Sequence, residues 1–424
     1  MSGADLIGPV PPHWSVKPLR LIGRLLKGSG GSKEDAVEEG VPCVRYGELY
    51  TTHRNFIERA RTCVTHERAS DYTPIEFGDV LFAASGETIE EIGKSAVNLL
   101  HGARCGGDVV ILRPTAAFVP RFLGYATDAA PVAAQKSLAG RGSTVKHIYP
   151  DELREVVIAV PPVDEQQAIA DFLDRETGRL DSLVTAKQHL INLLAEKRKA
   201  IIATAVTRGL DPKANLRDSG VPWLGEIPAH WEIERARRLF RERDVRGEPD
   251  LPLMEVSIAN GISVREFSDE RIETMAADFN SYKVARRNDI AFNKMRMWQG
   301  AVGVSPTDGL VSPDYVVAEP TGSMLPNYSG LLFRIEALSA ECGRRSHGLT
   351  WDRLRIYWEE FREIQLPLPP AEEQRTIVEH IARETAKLDA VRAATERTIA
   401  LLKERRSALI AAAVTGQLDV GAAA

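Results

Sequence analysis

Two long stretches of the chain carry apolar residues at the spacing that is typical of a coiled coil. The apolar positions are Ile169, Leu173, Leu180, Leu183, Leu190, Leu194 and Ile201 in the first stretch and Ile377, Ile381, Leu388, Val391, Leu402 and Leu409 in the second. A spacing near 3.5 residues indicates a helix that packs along a narrow seam with another helix. Proline pairs precede both stretches, and Gly209 stands where the first helix should end. The pattern predicts two long helices, and the chain between them favours an antiparallel pair.

The two helical stretches are copies of one another. The segment that begins Pro161-Pro-Val-Asp-Glu-Gln matches the segment that begins Pro369-Pro-Ala-Glu-Glu-Gln, and about half of the positions are identical as far as Leu210 and Leu418. Shorter matches join residues 8–14 to 225–231 and residues 78–82 to 288–292. The chain is therefore an internal duplication, and we expect its halves to pack about a pseudo-two-fold axis.

The segments before each helix mix short β-rich runs with clusters of turn-forming residues. Runs at 109–112, 156–160, 315–317 and 364–368 predict strands, and clusters at 28–32 and 305–309 predict turns. The predicted fold class is α+β, with two similar globular domains separated by two long helices that form an antiparallel coiled coil, one domain towards each end of the rod. The predicted limits are 1–155 and 213–365 for the globular domains and 156–212 and 366–424 for the helical segments.

Composition and charge narrow the class of protein. The chain has 424 residues, of which 44% are hydrophobic and 27% charged, and its net charge is −5. This balance excludes a uniformly basic nucleic-acid coat but allows local basic patches. The four cysteines form no C-x-x-C pair, so we expect neither a disulfide framework nor a cysteine-rich zinc site. The chain shows no signal peptide and no apolar run near the ~20 residues of a membrane span, so we expect a cytoplasmic protein without a membrane partner.

Motifs for catalysis are incomplete. The Ile-Gly-Lys-Ser segment at 92–95 resembles the end of a phosphate-binding loop, but Thr88 stands where the first glycine is required. Asp314 resembles part of a nuclease motif, yet Thr321 stands where the lysine would be. We find no glycine-rich loop for S-adenosylmethionine, no Asn-Pro-Pro-Tyr type tetrapeptide and no metal-ligand histidine spacing. His13 and His230, each beside a tryptophan, are predicted to pack, and the chain is predicted not to be an enzyme.

Basic residues in both domains are interleaved with aromatic and amide side chains. Arginine and lysine contact phosphates or guanine edges, and asparagine and glutamine suit adenine, so this mixture permits DNA reading. The predicted DNA-binding residues are Arg45, Tyr46, Lys136, Arg141 and Lys146 in the first domain and Lys294, Arg296, Trp298, Gln299 and Arg345 in the second. For any single residue among them, the alternative is a solvated surface charge or a packed core side chain.

Together these features resemble the specificity subunit of type I restriction-modification systems. The resemblance rests on the duplicated Pro-Pro-x-x-Glu-Gln entries to the helices, on the Pro-x-His-Trp segments that end at Trp14 and Trp231, and on the runs at 78–82 and 92–95. It covers essentially the whole chain. It implies two target-recognition domains that each read one half of a split DNA target, and helices that set the spacer and dock methyltransferase subunits.

The resemblance also implies how the chemistry is divided among subunits. The specificity subunit binds double-stranded DNA and two methyltransferase subunits, which supply S-adenosylmethionine and methylate adenine, while motor-nuclease subunits use ATP and Mg²⁺ where they are present. This chain is therefore expected to bind no cofactor or metal itself. The predicted partner-binding residues are Arg175, Glu176, Arg383 and Glu384, on helix faces outside the seam.

Two other hypotheses stay open at this point. One is a coiled-coil scaffold that tethers two protein-binding domains and never contacts DNA, which fits the helices but gives no reason for two basic, amide-rich domains. The other is a self-contained nuclease or methyltransferase, against which the missing motifs weigh. Specific DNA binding that weakens with added salt would favour the reading subunit over the scaffold.

Overall fold

The computed structural model describes residues 3–31, 33–86, 88, 91–141, 146–265, 279–348 and 354–420. The chain divides into two compact units, one of Met1–Gln188 with Glu396–Ala424 and the other of His189–Thr395. Each unit combines one globular domain with parts of the two long helices, which extend over Val163–Arg208 and Ala371–Val414. We call these the first and the second long helix. The predicted fold class, with mixed globular domains and two paired long helices, is confirmed.

In the first unit, the beginning of the first long helix packs against the end of the second. Residues 169–173 share a buried apolar cluster with Ile410, Ala413 and Val414. Arg406 of the second helix donates to Asp181 of the first, with Nε 3.2 Å from the carboxylate. Because early residues of one helix meet late residues of the other, the pair is antiparallel.

The second unit repeats this arrangement with the roles of the helices exchanged. Ala205 and Val206 near the end of the first long helix share a buried cluster with Ile377 near the beginning of the second. Arg198 contacts Asp389 at 2.7 Å. Arg198 and Asp389 occupy the positions that Arg406 and Asp181 occupy in the other copy of the repeat, so the duplication preserves the same ion pair in each unit.

The ends of the long helices show where the two copies differ. The first helix ends at Arg208, and the predicted terminator Gly209 has a left-handed backbone with a φ of 73°. The position of this glycine is taken by Gln417 in the second copy. The second helix ends at Val414, and Gly416, with a φ of 72°, takes the left-handed position instead. Glycine adopts this conformation without the steric cost that a Cβ imposes, so each helix stops at its own glycine.

The first globular domain is built on two five-stranded sheets. One has the order Gly23–Lys27, Val109–Pro114, Val80–Ala83, Ser95–Asn98, Phe56–Ile57, and the other has the order Ala36–Val37, Thr62–Val64, Val41–Val44, Arg104–Cys105, Thr73–Pro74. Two-stranded pairs join Ser15–Pro18 to Val157–Val160 and Lys146–His147 to Ser85–Gly86. The helices are Gly3–Ile7, Leu19–Ile22, Glu48–Thr51, Pro120–Asp128, Ala130–Ala139 and Pro150–Arg154, with 3-10 turns at Lys33–Asp35 and Arg68–Asp71.

The second globular domain repeats the central part of this plan. Its main sheet has the order Phe240–Glu242, Tyr315–Pro320, Ile290–Asn293, Val302–Val304, and two-stranded pairs join Leu216–Asp218 to Glu226–Pro228, Glu232–Arg235 to Gln365–Leu368, Met254–Ser257 to Gly261–Val264, and Lys283–Ala285 to Gly309–Val311. The helices are Ala236–Leu239, Pro326–Leu332, Glu336–Arg345 and Trp358–Phe361, with 3-10 turns at Phe279–Ser281 and Met297–Gln299. The strands predicted at 109–112, 156–160, 315–317 and 364–368 are confirmed, with shifts of a few residues at their ends.

The predicted helix seam is only partly correct. Leu173 and Ile377 are fully buried, as a seam residue should be. Leu183 and Val391, which are equivalent in the two copies, are 43% and 46% exposed. Periodicity alone cannot identify which turns meet the partner helix, because each helix also packs against its own globular domain. No helix in the described parts of the chain is both long and apolar enough to cross a membrane.

Candidate nucleic-acid interface

A buried aspartate anchors the central sheet of the first domain. Asp79 lies just before the strand Val80–Ala83 and is 1% exposed. It accepts hydrogen bonds from the amide of Glu76 at 2.8 Å and from Nη2 of Arg113 at 2.7 Å. Gly78 takes the left-handed conformation that the tight turn requires. The turn fixes where the strand begins, and therefore where the loop at its far end is presented.

The second domain has the same turn with a different arginine. Asp289 accepts from the amide of Arg286 at 2.8 Å and from Nε of Arg243 at 2.7 Å. Burial raises the pKa of Asp289. Asn288, with a φ of 76°, replaces the glycine. Arg243 follows the edge strand Phe240–Glu242, whereas the arginine of the first domain lies on the strand next to the aspartate. The faint sequence match between 78–82 and 288–292 thus corresponds to one repeated structural element.

The glutamine of the repeated helix entry joins each domain to its long helix. Oε1 of Gln166 accepts from the amide of Val119 at 3.0 Å, and its Nε2 donates to the carbonyl of Pro161 at 3.0 Å. Gln374 does the same, with its Oε1 accepting from the amide of Leu325 at 2.7 Å. Both glutamines are almost fully buried. The Pro-Pro-x-x-Glu-Gln motif therefore holds the domain at a set position on the helix.

The repeated His-Trp segments also contact the helix entry. His13 contacts Glu165 at 2.9 Å, and Nε1 of Trp14 donates to the same carboxylate at 2.8 Å. His230 contacts Glu373 at 2.8 Å. The two histidines were predicted to pack. Each makes a polar contact with the glutamate that comes directly before the glutamine of the Pro-Pro-x-x-Glu-Gln motif. Within the described residues, no cluster of three or more His, Cys, Asp or Glu side chains could hold a metal ion.

Two loops of the second domain form one surface, which we call the second-domain loop pair (294–301 with 346–348 and 354–357). The amide of Ile356 donates to the carbonyl of Lys294 at 3.0 Å, which joins the loops. Nζ of Lys294 lies 5.6 Å from the ring centre of Tyr357. Trp298 donates its Nε1 to the carbonyl of Met295 at 3.0 Å. The structure thus brings Lys294 and Tyr357 together from distant parts of the sequence, while Trp298 holds the turn of the first loop.

The residues predicted to bind DNA on this surface differ in the exposure and in the contacts of their side chains. Arg296 and Gln299 are exposed, and Met297 between them is fully buried and anchors the turn. Arg345 is held at the end of its helix by Glu341, with Nε 2.5 Å from the carboxylate. Among the residues predicted to bind DNA in the second domain, Arg296 and Gln299 have the exposure that a contact with a base needs.

The first domain presents the equivalent surface, the first-domain loop pair (84–86, 88 and 91–94 with 140–141 and 146–149). The amide of Ile148 donates to the carbonyl of Ala84 at 3.0 Å, and Ser85 contacts Nδ1 of His147 at 3.0 Å. Arg141 is exposed and pairs with Glu152 at 3.1 Å. The backbone of residue 146 lies in this surface, while the side chain of Lys146 lies outside the described parts of the chain.

Sequence reasoning missed one tyrosine on each of these surfaces. Tyr149 and Tyr357 are equivalent, each precedes a short helix, and each donates its amide to the glutamate three residues later at 3.1 Å. Both rings are exposed, and Tyr149 stacks near His147. The repeat of the two tyrosines was the signal that could have identified them.

Arg45 and Tyr46 lie away from the first-domain loop pair. They follow the strand Val41–Val44 of the other five-stranded sheet, and both are half-buried. The ring of Tyr46 packs against the apolar cluster beneath that sheet and lies 6.2 Å from the ring of Tyr50. Their DNA-binding role stays a prediction, and the structure does not bring them together with Arg141.

Lys136 lies in the interior, which does not fit a contact with DNA. Its side chain is 1% exposed, and Nζ donates to the carbonyl of Thr127 at 2.8 Å and lies 3.5 Å from Asp128. The Ile-Gly-Lys-Ser segment at 92–95 surrounds it, because a Cβ on Gly93 would lie 3.0 Å from Cδ of Lys136 and because Lys136 also donates to Ser95. The segment that resembled a phosphate loop thus packs around a buried lysine. Sequence alone showed the charge of Lys136 but not its burial.

This burial predicts a dependence of stability on pH. Burial lowers the pKa of Lys136 from 10.5 to about 8, so the unfolded chain binds more protons between these values and stability rises with pH. Relative to a Lys136→Met variant, the wild type should gain up to about 3 kcal/mol of unfolding free energy between pH 8 and pH 10.5. Urea denaturation at several pH values measures the difference, with exposed Lys213→Met as the control. Parallel pH profiles for wild type and Lys136→Met would contradict the prediction.

The predicted partner-binding residues form two equivalent pairs on the long helices. Arg175 contacts Glu176 at 3.5 Å, and Arg383 contacts Glu384 at the same distance. Both arginines are exposed, and the hydrogen bond from Lys387 lowers the pKa of Glu384. The pairs are accessible to a partner, and their role in docking stays a prediction.

Several type I restriction enzyme specificity subunits are similar to this chain in sequence. No protein-family model matches the chain. The type I restriction enzyme EcoKI specificity subunit of Escherichia coli (strain K12) is 22% identical over 444 aligned positions, which cover 97% of this chain and 90% of that protein. This chain is similar to type I restriction enzyme specificity subunits along almost its whole length. The EcoDI specificity subunit of Escherichia coli is 22% identical over 66% of each chain, and the StySPI specificity subunit of Salmonella potsdam is 24% identical over 51% of this chain and 47% of its own.

Solved structures share the fold. A chain from work on complex assembly and conformational transition of the type I R-M system superposes with a TM-score of 0.70 at 18% identity, covering 97% of this chain and all of that one. The HsdS subunit from Thermoanaerobacter tengcongensis gives a TM-score of 0.53 at 19% identity, with 97% of this chain and 99% of that one covered. The resemblance inferred from the duplicated motifs is confirmed.

Proposed function

We propose that this chain is the DNA sequence-recognition subunit of a type I restriction-modification complex. Each globular domain reads one half of a split target, and the long helices set the spacer between the halves. The observation that carries the proposal is the duplication, because each domain presents an equivalent loop pair and joins its long helix through the same buried glutamine. Two recognition domains with the same architecture suit a DNA target that consists of two separate halves.

The chemistry belongs to partner subunits under this proposal. Two methyltransferase subunits bind S-adenosylmethionine and methylate an adenine that is extruded from the duplex, while this chain reads neighbouring bases. Motor-nuclease subunits, where present, use ATP and Mg²⁺ for restriction. The complex acts on DNA in the cytoplasm, and this chain contributes specificity without catalysis.

The long helices offer two equivalent surfaces for these partners. Leu183 and Val391 are equivalent and 43% and 46% exposed, and Leu193 and Leu401 are equivalent and 46% and 64% exposed. Like residues exposed at equivalent positions of the two copies suit contacts with two copies of one partner. The Arg-Glu pairs at 175–176 and 383–384 are a second set of equivalent positions on the same helices. Two like surfaces support docking of two methyltransferase subunits.

Co-expression with the methyltransferase subunit, followed by sequencing that detects N6-methyladenine, tests the proposal. We expect methylation within a split motif, and exchange of residues 30–150 for those of another specificity subunit should change one half of that motif only. Methylation without a split motif, or no stable complex, would favour the scaffold hypothesis. Methylation or cleavage by the purified chain alone would revive the self-contained enzyme.

A further inference from the structure

The same place in the two units is filled in one and open in the other. In the first unit, the ring of Phe56 lies 5.0 Å from the ring of Tyr125, and the Tyr125 hydroxyl donates to Asp174 at 2.7 Å. Arg121 lies over the Phe56 ring at 4.7 Å and pairs with the same carboxylate at 3.1 Å. Two aromatic rings and a carboxylate therefore seal the space between the domain and its long helix.

In the described part of the second unit, the residues equivalent to Tyr125 and Asp174 are different. The helices Pro120–Asp128 and Pro326–Leu332 correspond, because the residue before each proline donates its amide to the repeated glutamine. By this correspondence Leu331 replaces Tyr125 and Ala382 replaces Asp174. Ile262, in the two-stranded pair of Met254–Ser257 with Gly261–Val264, lies close to the main sheet, because a Cβ on Gly303 would lie 2.7 Å from its amide nitrogen. An aliphatic residue and an alanine cannot rebuild the contact of tyrosine with aspartate.

A groove of about 350 Å³ remains at this place. Its apolar walls include Ile202, Ile262, Leu331 and Val378, and Arg198 and Arg334 lie at its polar side. A groove of this size lies within the range that binds small ligands or side chains. An occupant that covers the apolar part of the wall removes that surface from water, which favours binding.

The charge of the groove indicates what the occupant carries. None of the described lining residues is acidic. Arg334 donates to the carbonyls of Ile258 and Ala259, and in the described parts of the chain no carboxylate lies within ion-pair distance of it. Partial burial and the nearby Arg198 lower the pKa of Arg334. Arg198 is already paired with Asp389, so Arg334 is the arginine that favours an anionic partner.

We propose that this groove binds a segment of the methyltransferase subunit that carries an aromatic side chain and a carboxylate, the groups that the first unit supplies from within the chain. The inference rests on the proposed function. Arg198, Ile202 and Val378 belong to the long helices, the elements on which the proposed function docks the same partner. DNA phosphates would suit the arginines but leave the apolar walls uncovered. The two methyltransferase contacts therefore differ, because only the second unit accepts this segment.

The test rebuilds the contacts of the first unit inside the groove. The Leu331→Tyr, Ala382→Asp variant should bind the methyltransferase subunit at least ten-fold more weakly than the wild type, while its melting temperature stays equal or rises. An Asn215→Asp variant adds the same charge at an exposed position outside the groove and outside both long helices, and should bind normally. Isothermal titration of the full chain with the methyltransferase subunit measures the affinities. Equal affinity of the filled variant and the wild type would overturn the proposal.

Two further measurements keep the test decisive if the filled variant does not fold. Arg334→Glu leaves the apolar walls in place and should weaken binding at least ten-fold, whereas unchanged affinity would overturn the proposal. A photo-crosslinking residue at Asn327, which lines the groove and is exposed, should capture the methyltransferase subunit in the assembled complex, and its failure to do so would also overturn it. If the wild type itself bound no methyltransferase subunit, the proposed function would fail. If the wild type bound and the groove variants bound equally, only the groove would be excluded.

Discussion

A chain with Lys294→Ala, Arg296→Ala and Gln299→Ala should bind its DNA target about 100-fold more weakly or worse in complex with its methyltransferase. The three side chains come from the second-domain loop pair, where Arg296 and Gln299 are exposed and Lys294 lies beside Tyr357. Each well-placed contact to a base edge is worth ~1–3 kcal/mol, so the loss of two or three produces this effect. The remaining sequence preference should be confined to the half read by the first domain. Binding titrations against targets changed in one half at a time measure both effects.

The control removes the same number of positive charges outside the loop pair. Lys213→Ala with Arg238→Ala changes two exposed side chains, of which Arg238 pairs with Glu234 four residues earlier in the chain. This variant should keep its affinity within a few fold, apart from a small loss of long-range attraction that added salt removes. Loss of preference in both halves of the target by the loop variant, or equal loss by the control, would contradict the assignment of this surface.

The largest effect on stability is expected from Asp79→Ala. Asp79 is 1% exposed, and its carboxylate receives the guanidinium of Arg113 and the amide of Glu76. Loss of one partner from a buried ion pair leaves the other without compensation, which costs ~3–5 kcal/mol. Because Arg113 is 28% exposed and also contacts Glu76, we expect about 3 kcal/mol, at the lower end of that range. Urea denaturation followed by circular dichroism measures the loss.

The duplication supplies a matched comparison for this variant. Asp289→Ala removes the equivalent carboxylate, and Arg243 keeps a contact with Glu319 at 2.9 Å just as Arg113 keeps one with Glu76, so we expect a loss of similar size. Asp151→Ala, whose side chain is 93% exposed, should change stability by less than about 0.5 kcal/mol. A loss for Asp79→Ala no greater than that for Asp151→Ala would show that the aspartate turn does not anchor the sheet.

The parts of this protein that follow from local pattern were predictable from the chain. The two long helices follow from apolar residues that repeat at short spacing within each stretch, and Gly209 ends the first helix as predicted. The duplication follows from motifs that recur in the same order further along the chain, and the antiparallel pairing was expected from the chain that connects the helices. The repeated glutamines Gln166 and Gln374 were visible in the sequence as part of the duplicated motif, but only the structure showed that they join each domain to its long helix. Local periodicity did not show that Leu183 and Val391 face solvent, because packing against the globular domains decides which turns are covered.

The sequence by itself determined the duplicated architecture and the resemblance to specificity subunits, since both reside in residue order and spacing. Only the tertiary structure decided which charged side chains reach the surface. Lys136 carries the charge of a DNA contact but is buried among Ser95, Thr127 and Asp128, whereas Arg296 is exposed. Burial depends on segments that lie tens of residues away in the chain, and no local pattern contains that information.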